Sequence, residues 1–330
     1  MMMRLTPCTG GPPSSATKRV PYIWFALLCV TAIIIWWSSI RATMTLALTK
    51  EEYTHILLIV PVFCGLILTK RNSQLAVPVP NWRGGSALMS LSFCVGVIGH
   101  PWLERKVRAD IGLAISVLAL VLWLVGAFVA CLGKNIARSY AFPMFFLLWL
   151  APIPEFVLAR LVSLLQQGSA ACAHLLFAIS GVPVFQQGTV LSISGLTIEV
   201  AAQCSSIRSS SILMVSALVL GYLFVSSLWG RVIIAVAAAL LAIVKNGLRI
   251  YVLGMLATHV DPSILSGRLH HQGGVIFFLW SMFFLAIVIW MVLQLETRLR
   301  MRFLRDRFTS SADMELQRVA DCRLVGSRPR

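Results

Sequence analysis

Val200-Ala201-Ala202-Gln203-Cys204-Ser205-Ser206-Ile207-Arg208-Ser209 is a polar passage carrying a thiol and a guanidinium between two long apolar regions. In a soluble chain such a passage would be a surface turn, but its apolar neighbours are too long for that reading. Of the 330 residues, 58 % are hydrophobic and 12 % charged, and the mean hydropathy is +0.85. That leaves too little polar surface to cover the apolar bulk of a soluble domain. The apolar residues come in blocks close to the roughly 20 residues that a helix needs to cross the hydrocarbon core. We therefore expect an all-α integral membrane protein with about eight transmembrane helices, one amphipathic helix and a short extracytoplasmic β-hairpin.

Downstream of the passage, an apolar helix is expected over Ile207–Leu228, then a turn at Trp229-Gly230-Arg231, then a helix from Val232 to about Leu256 holding Lys245, Asn246 and Arg249. A polar loop containing Leu269-His270-His271-Gln272-Gly273-Gly274 precedes the last span, Val275–Leu293. Upstream, Gly181–Gln203 is rich in β-branched residues with partial alternation, which reads as a hairpin leading into Cys204. Before it, Phe156–Ile179 carries Arg160, Ser163, Gln167 and His174 on one helical face, which suits a non-spanning amphipathic helix. Two prolines in Ala151-Pro152-Ile153-Pro154-Glu155 mark a turn. The remaining expected spans are Tyr22–Ile40, His55–Leu68, Ser86–Ile98, Ile111–Cys131 and the short Tyr140–Leu150.

Three regions follow: a disordered cytoplasmic N-tail over residues 1–20, a membrane domain over 21–295 and a basic cytoplasmic C-tail over 296–330. In the C-tail Arg298, Arg300, Arg302, Arg305 and Arg307 are interleaved with Leu299, Met301, Phe303 and Leu304, a composition attracted to anionic membrane lipid. The net charge of +16 does not indicate nucleic acid, because the positive residues occupy short loops and the two ends. Eight expected spans gather most of these charges on one side, which makes that side cytoplasmic. The same assignment places Cys204, the Arg249 end of its helix and His270 together on the outer side. The eight cysteines are scattered without a Cys-x-x-Cys pair, so no disulfide framework, metal site or cofactor is expected.

The candidate chemistry follows from residue types. Cys204 stands beside Arg208 at the start of a helix, and both a cation and a helix N-terminus favour the reactive thiolate. Capping by Ser205 and Ser206 is the plainer role for those hydroxyls. Lys245 and Arg249 are one helical turn apart, with Asn246 beside them. Ionisable residues within a membrane helix are costly, and such a cluster lines a polar cavity more readily than lipid. A guanidinium there can stabilise an oxyanion or hold a substrate carboxylate. His270 and His271 supply a proton shuttle, since a thiol and an imidazole are the minimum for thiol-based acyl transfer. A competing reading is a membrane transporter or an export-system scaffold with Lys245 and Arg249 as an anion-binding cluster.

Glu199-Val200 with Gln203-Cys204-Ser205-Ser206-Ile207-Arg208-Ser209, then Asn246-Gly247-Leu248-Arg249-Ile250, then His270 followed by Gly274 and Phe277, resemble in that order the exosortase/archaeosortase family of membrane cysteine transpeptidases. The resemblance implies Cys204 as nucleophile, Arg249 as the triad arginine and His270 as its histidine, His270 being chosen over His271 by its spacing to Gly274. Ser206 stands where the family usually has glycine. Arg208, Asn246, Lys245 and His271 are the substrate-binding or supporting candidates. The implied partners are exported proteins with a C-terminal Pro-Glu-Pro-like motif, a membrane helix and a basic end. The implied reaction is cleavage through a Cys204 acyl-enzyme, resolved by water or by an amine on a surface acceptor. The implied location is the bacterial cytoplasmic (inner) membrane, with the active site facing outward.

Overall fold

The computed structural model describes residues 15–70, 78–99, 108–193, 196–200, 207–260 and 274–326. Cys204, His270 and His271 lie outside the described residues. Long apolar stretches form helices throughout, because a helix satisfies its own backbone polar groups where no water is available. Among the described residues, six helices are long and apolar enough to cross a membrane, or seven if one bent pair is counted as a single span. The chain divides into two units, residues 1–161 and 162–330.

In the first unit, α1 (Ser15–Ile35) and α2 (Trp37–Thr49) meet at a bend of 72°. The sequence predicts one span ending near Ile40; the chain instead turns at Trp36, whose side chain is buried and packs against Trp123 with the rings tilted by 56° and their centroids 5.7 Å apart. α1 already begins at Ser15, inside the segment expected to be a disordered tail. Next come α3 (Ile56–Lys70) and α4 (Trp82–Phe93), and α4 runs on as a π-helical turn over Cys94–Gly99. α5 (Ala109–Leu132) matches the fourth expected span closely. It packs so tightly on α4 that a Cβ on Gly85 would lie 2.4 Å from that of Ala130. A buried hydrogen bond of 2.7 Å joins Ser39 of α2 to Ser116 of α5. The short helices α6 (Lys134–Ser139) and α7 (Ala141–Phe146) follow, and a 3-10 turn over Leu147–Leu150 carries the apolar run on to the double-proline turn. The third expected span is thus divided between α4 and the π turn, and the fifth between α7 and the 3-10 turn.

α8 (Glu155–Ile179) crosses the boundary between the units. It meets the length and apolarity criteria of a span, although it is the least apolar of the six. The region expected to form a hairpin is a three-stranded antiparallel meander, with β1 (Val184–Gln187), β2 (Val190–Ile193) and β3 (Leu196–Glu199) in sequence order. Gly181 and Gly188 adopt φ of 73° and 62°, the left-handed region that turns into and within the meander demand.

Three helices complete the second unit. α9 (Ile207–Phe224), α10 (Leu228–His259) and α11 (Gly274–Gly326) share a core of Leu213 and Ala217, Ile234, Ala238 and Ala242, and Leu285, Ile289 and Val292. The spacings of three and four put each set on one helical face. On α10 the opposite face, Trp229, Ile233, Val236, Leu240 and Val244, is exposed as lipid contact requires. Glu296 of α11 closes the α9–α10 turn, accepting from the Ser227 amide at 2.9 Å, the Ser226 amide at 3.2 Å and the Ser226 hydroxyl at 2.9 Å. α11 continues unbroken through the basic segment expected to be a separate tail.

Candidate active site

Two secondary-structure elements deliver the chain to the Cys204 passage and take it away. β3 ends at Glu199, and Val200 is held on three sides. Its side chain is buried in a cluster with Ala170, Ala173 and Phe177 of α8 and Ile250 of α10. Its amide donates to the Thr189 carbonyl at 3.0 Å, and its carbonyl accepts from Gln166 Nε2 at 2.8 Å. On the other side, α9 starts at Ile207, with Arg208 exposed as its second residue. Ser209 accepts a hydrogen bond from Lys245 Nζ of α10. Ser210 is buried, and its hydroxyl has no hydrogen-bond partner among the described residues.

The cationic turn of α10 lies where a long helix can carry it. Lys245 is 17 residues from the start of α10 at Leu228, so about 26 Å along its axis at ~1.5 Å per residue, close to the ~30 Å hydrocarbon thickness. Lys245 and Asn246 are 2 % and 1 % exposed, and Arg249 is half-buried one turn on. Gly247 makes this burial possible, for a Cβ there would lie 2.6 Å from Cys172 Cβ and 3.1 Å from the Ser169 carbonyl of α8. Further along the same contact, the Tyr251 hydroxyl meets Ser180 at 2.7 Å and its ring packs edge-on to Phe177. The closely packed small residues bring the two helix backbones together as they do in membrane bundles generally.

Of the residues singled out from sequence, Lys245, Asn246 and Arg249 share one turn of α10, and the Lys245 bond to Ser209 joins that turn to the first turn of α9, where Arg208 also stands. Arg208 faces outward there. The placement of Cys204, His270 and His271 falls outside the described residues. Gln166 and Ser209 were not singled out. The polar stripe on α8 drew attention to Gln167, which donates to Ser163 of its own helix at 3.0 Å, whereas its neighbour Gln166 makes the long-range contact. Ser209 had one available signal, lying in the first turn of the helix that follows the thiol. Chemically, two cationic side chains on one buried helical turn can attract an anion or stabilise negative charge forming on an oxygen. Among the described residues, no group of three or more His, Cys, Asp and Glu side chains could hold a metal ion.

Against this geometry, the family model of transmembrane exosortases matches residues 36–287, which include the meander, the Cys204 passage, the α10 cluster and the two histidines. No match is found to a curated protein or to a solved structure.

Proposed function

Because the chain belongs to the transmembrane exosortase family, we propose that it is a membrane cysteine protease/transpeptidase in which Cys204 attacks a backbone carbonyl in the C-terminal sorting signal of an exported protein. The observation that carries this reading is the Lys245–Ser209 hydrogen bond, which sets the Arg249-bearing turn of α10 beside the first turn of the helix that Cys204 leads into.

In the proposed reaction the Cys204 thiolate adds to the carbonyl carbon, and the oxygen takes up the negative charge. Arg249 is the group to stabilise that oxyanion, as a half-buried cation one helical turn from Lys245. Collapse of the adduct breaks the C–N bond while His270 gives its proton to the departing amine, leaving a thioester on Cys204. Water or an acceptor amine then attacks the thioester, returns a proton to His270 and frees the thiolate. Water gives a cleaved protein; an amine gives a transferred one. Substrates have a Pro-Glu-Pro-like motif, a membrane helix and a basic end, and the site faces outward from the bacterial inner membrane. That orientation follows from the charge asymmetry of the eight spans expected from the sequence, in which residues 156–179 do not cross.

The test is Cys204→Ala co-expressed with a tagged exported protein that ends in such a three-part signal. Processing should stop while the variant accumulates in the membrane at the normal level. Processing at the wild-type rate by a stable Cys204→Ala protein would overturn the proposal.

A further inference from the structure

The two hydrogen bonds that flank the Cys204 passage come from different helices and end on different sides of it. Gln166 of α8 holds the carbonyl of Val200, four residues before Cys204. Lys245 of α10 holds the hydroxyl of Ser209, five residues after it. Val200 is 1 % exposed and its amide is bonded as well, so its position is fixed by packing and by both of its backbone polar groups. α8 and α10 are themselves in close contact at Gly247 and Cys172, so both anchors come from one tightly packed helix pair.

We infer that Gln166 and Lys245 are positioning residues that fix the two ends of the Cys204 segment and so aim the nucleophile. The inference rests on the reading of Cys204 as that nucleophile. The residue types suit the task. Gln166 is a neutral donor that satisfies a carbonyl left beyond the end of the meander, and such a carbonyl would otherwise be costly to leave unpaired away from water. Lys245 has a four-carbon stem that lets a buried helical position reach the next helix. Its amine is directed to the Ser209 hydroxyl, so its role differs from that of Arg249. Neither side chain needs to touch substrate. Misplacing a nucleophile by about 1 Å costs up to roughly 100-fold in rate, so modest slack at either end is enough to register.

The experiment uses the full-length protein in detergent-solubilised membranes with the tagged three-part substrate. Gln166→Met keeps the length of the side chain and loses its donor, and Lys245→Met does the same at the other end. Gln166→Lys restores a donor of similar reach. Each Met variant should lower kcat by about 10-fold or more with KM little changed, and Gln166→Lys should recover part of the loss. The double variant should lose less than the product of the single losses, since both act on one segment. Independently of turnover, the rate of alkylation of Cys204 by iodoacetamide against pH, read on the Cys204 peptide by mass spectrometry, should shift in both Met variants. An unchanged alkylation profile, or a change in KM alone, would overturn the positioning role. Normal processing by Cys204→Ala would instead refute the nucleophile assignment, and the alkylation profile would still report whether the segment is anchored.

Discussion

Gly247→Ala is the substitution with the sharpest outcome, because two effects of similar size oppose each other at that position. Alanine is about 1 kcal/mol better than glycine in a helix interior, so on an isolated helix the change would stabilise. Here the added methyl would lie 2.6 Å from Cys172 Cβ and 2.7 Å from its sulfur, where apolar atoms normally approach to ~4 Å. The helices α8 and α10 must separate by about 1 Å, at an overpacking cost of ~1–3 kcal/mol. Removing the opposing side chain with Cys172→Gly relieves both contacts and leaves the Ser169 carbonyl at 3.1 Å. Thermal unfolding of the detergent-solubilised protein, followed by size-exclusion fluorescence, then gives a double-mutant cycle. Gly247→Ala should destabilise the wild-type chain and stabilise the Cys172→Gly chain, with a coupling of ~1–3 kcal/mol, or about 2–8 °C in melting temperature. Substrate processing should fall with the single substitution and recover with the pair. Additivity within about 0.5 kcal/mol would refute the close contact and the argument that it buries the Lys245 turn.

Glu296→Gln keeps the shape of the α9–α10 clamp and removes its charge; because the clamp is largely exposed, the loss should be about 1 kcal/mol, seen as a lower unfolding midpoint with normal insertion in the membrane. At the buried Ser39–Ser116 pair, Ser39→Ala should cost about 1–3 kcal/mol by orphaning the Ser116 hydroxyl, whereas replacing both serines by alanine should be nearly neutral. A double variant as unstable as the single one would mean that packing, and not the hydrogen bond, holds the α2–α5 contact.

Hydropathy made the spans legible where one apolar run is one helix. Ile111–Cys131 was found to within two residues because nothing in it interrupts the backbone. It failed where continuity is decided by other forces. At Trp36 the chain bends by 72° inside an apolar run, because a buried indole and its partner Trp123 outweigh helix continuation. Beyond Leu293 the opposite occurs. The apolar run stops, but arginine and leucine are both good helix formers and α11 carries on to Gly326. The first strand of the meander was missed because Val184–Gln187 precedes the Thr189–Val200 pattern that marks β2 and β3, and its pairing with β2 supplies what the local pattern does not.

Of the candidate site, the α10 cluster was legible because charges inside a membrane helix are rare enough to stand out. Gln166 was not, since a neutral amide on a helix announces neither its partner nor the direction in which it points. Its significance comes from Val200, which is 34 residues away in the chain. Ser209 was hidden in the same way, as a small hydroxyl whose meaning depends on Lys245 of another helix.

The continuity of α11 couples two things that a flexible junction would keep separate. Its 53 residues make a rod of roughly 80 Å, well over twice the ~30 Å hydrocarbon thickness. In a single rod the tilt of the spanning part and the angle at which Arg298, Arg300, Arg302 and Arg305 meet a headgroup layer are one variable. Glu296 grips the α9–α10 turn immediately before those arginines. The basic segment and the clamp on the turn from which the helix of Lys245 and Arg249 sets out therefore belong to one unbroken helix.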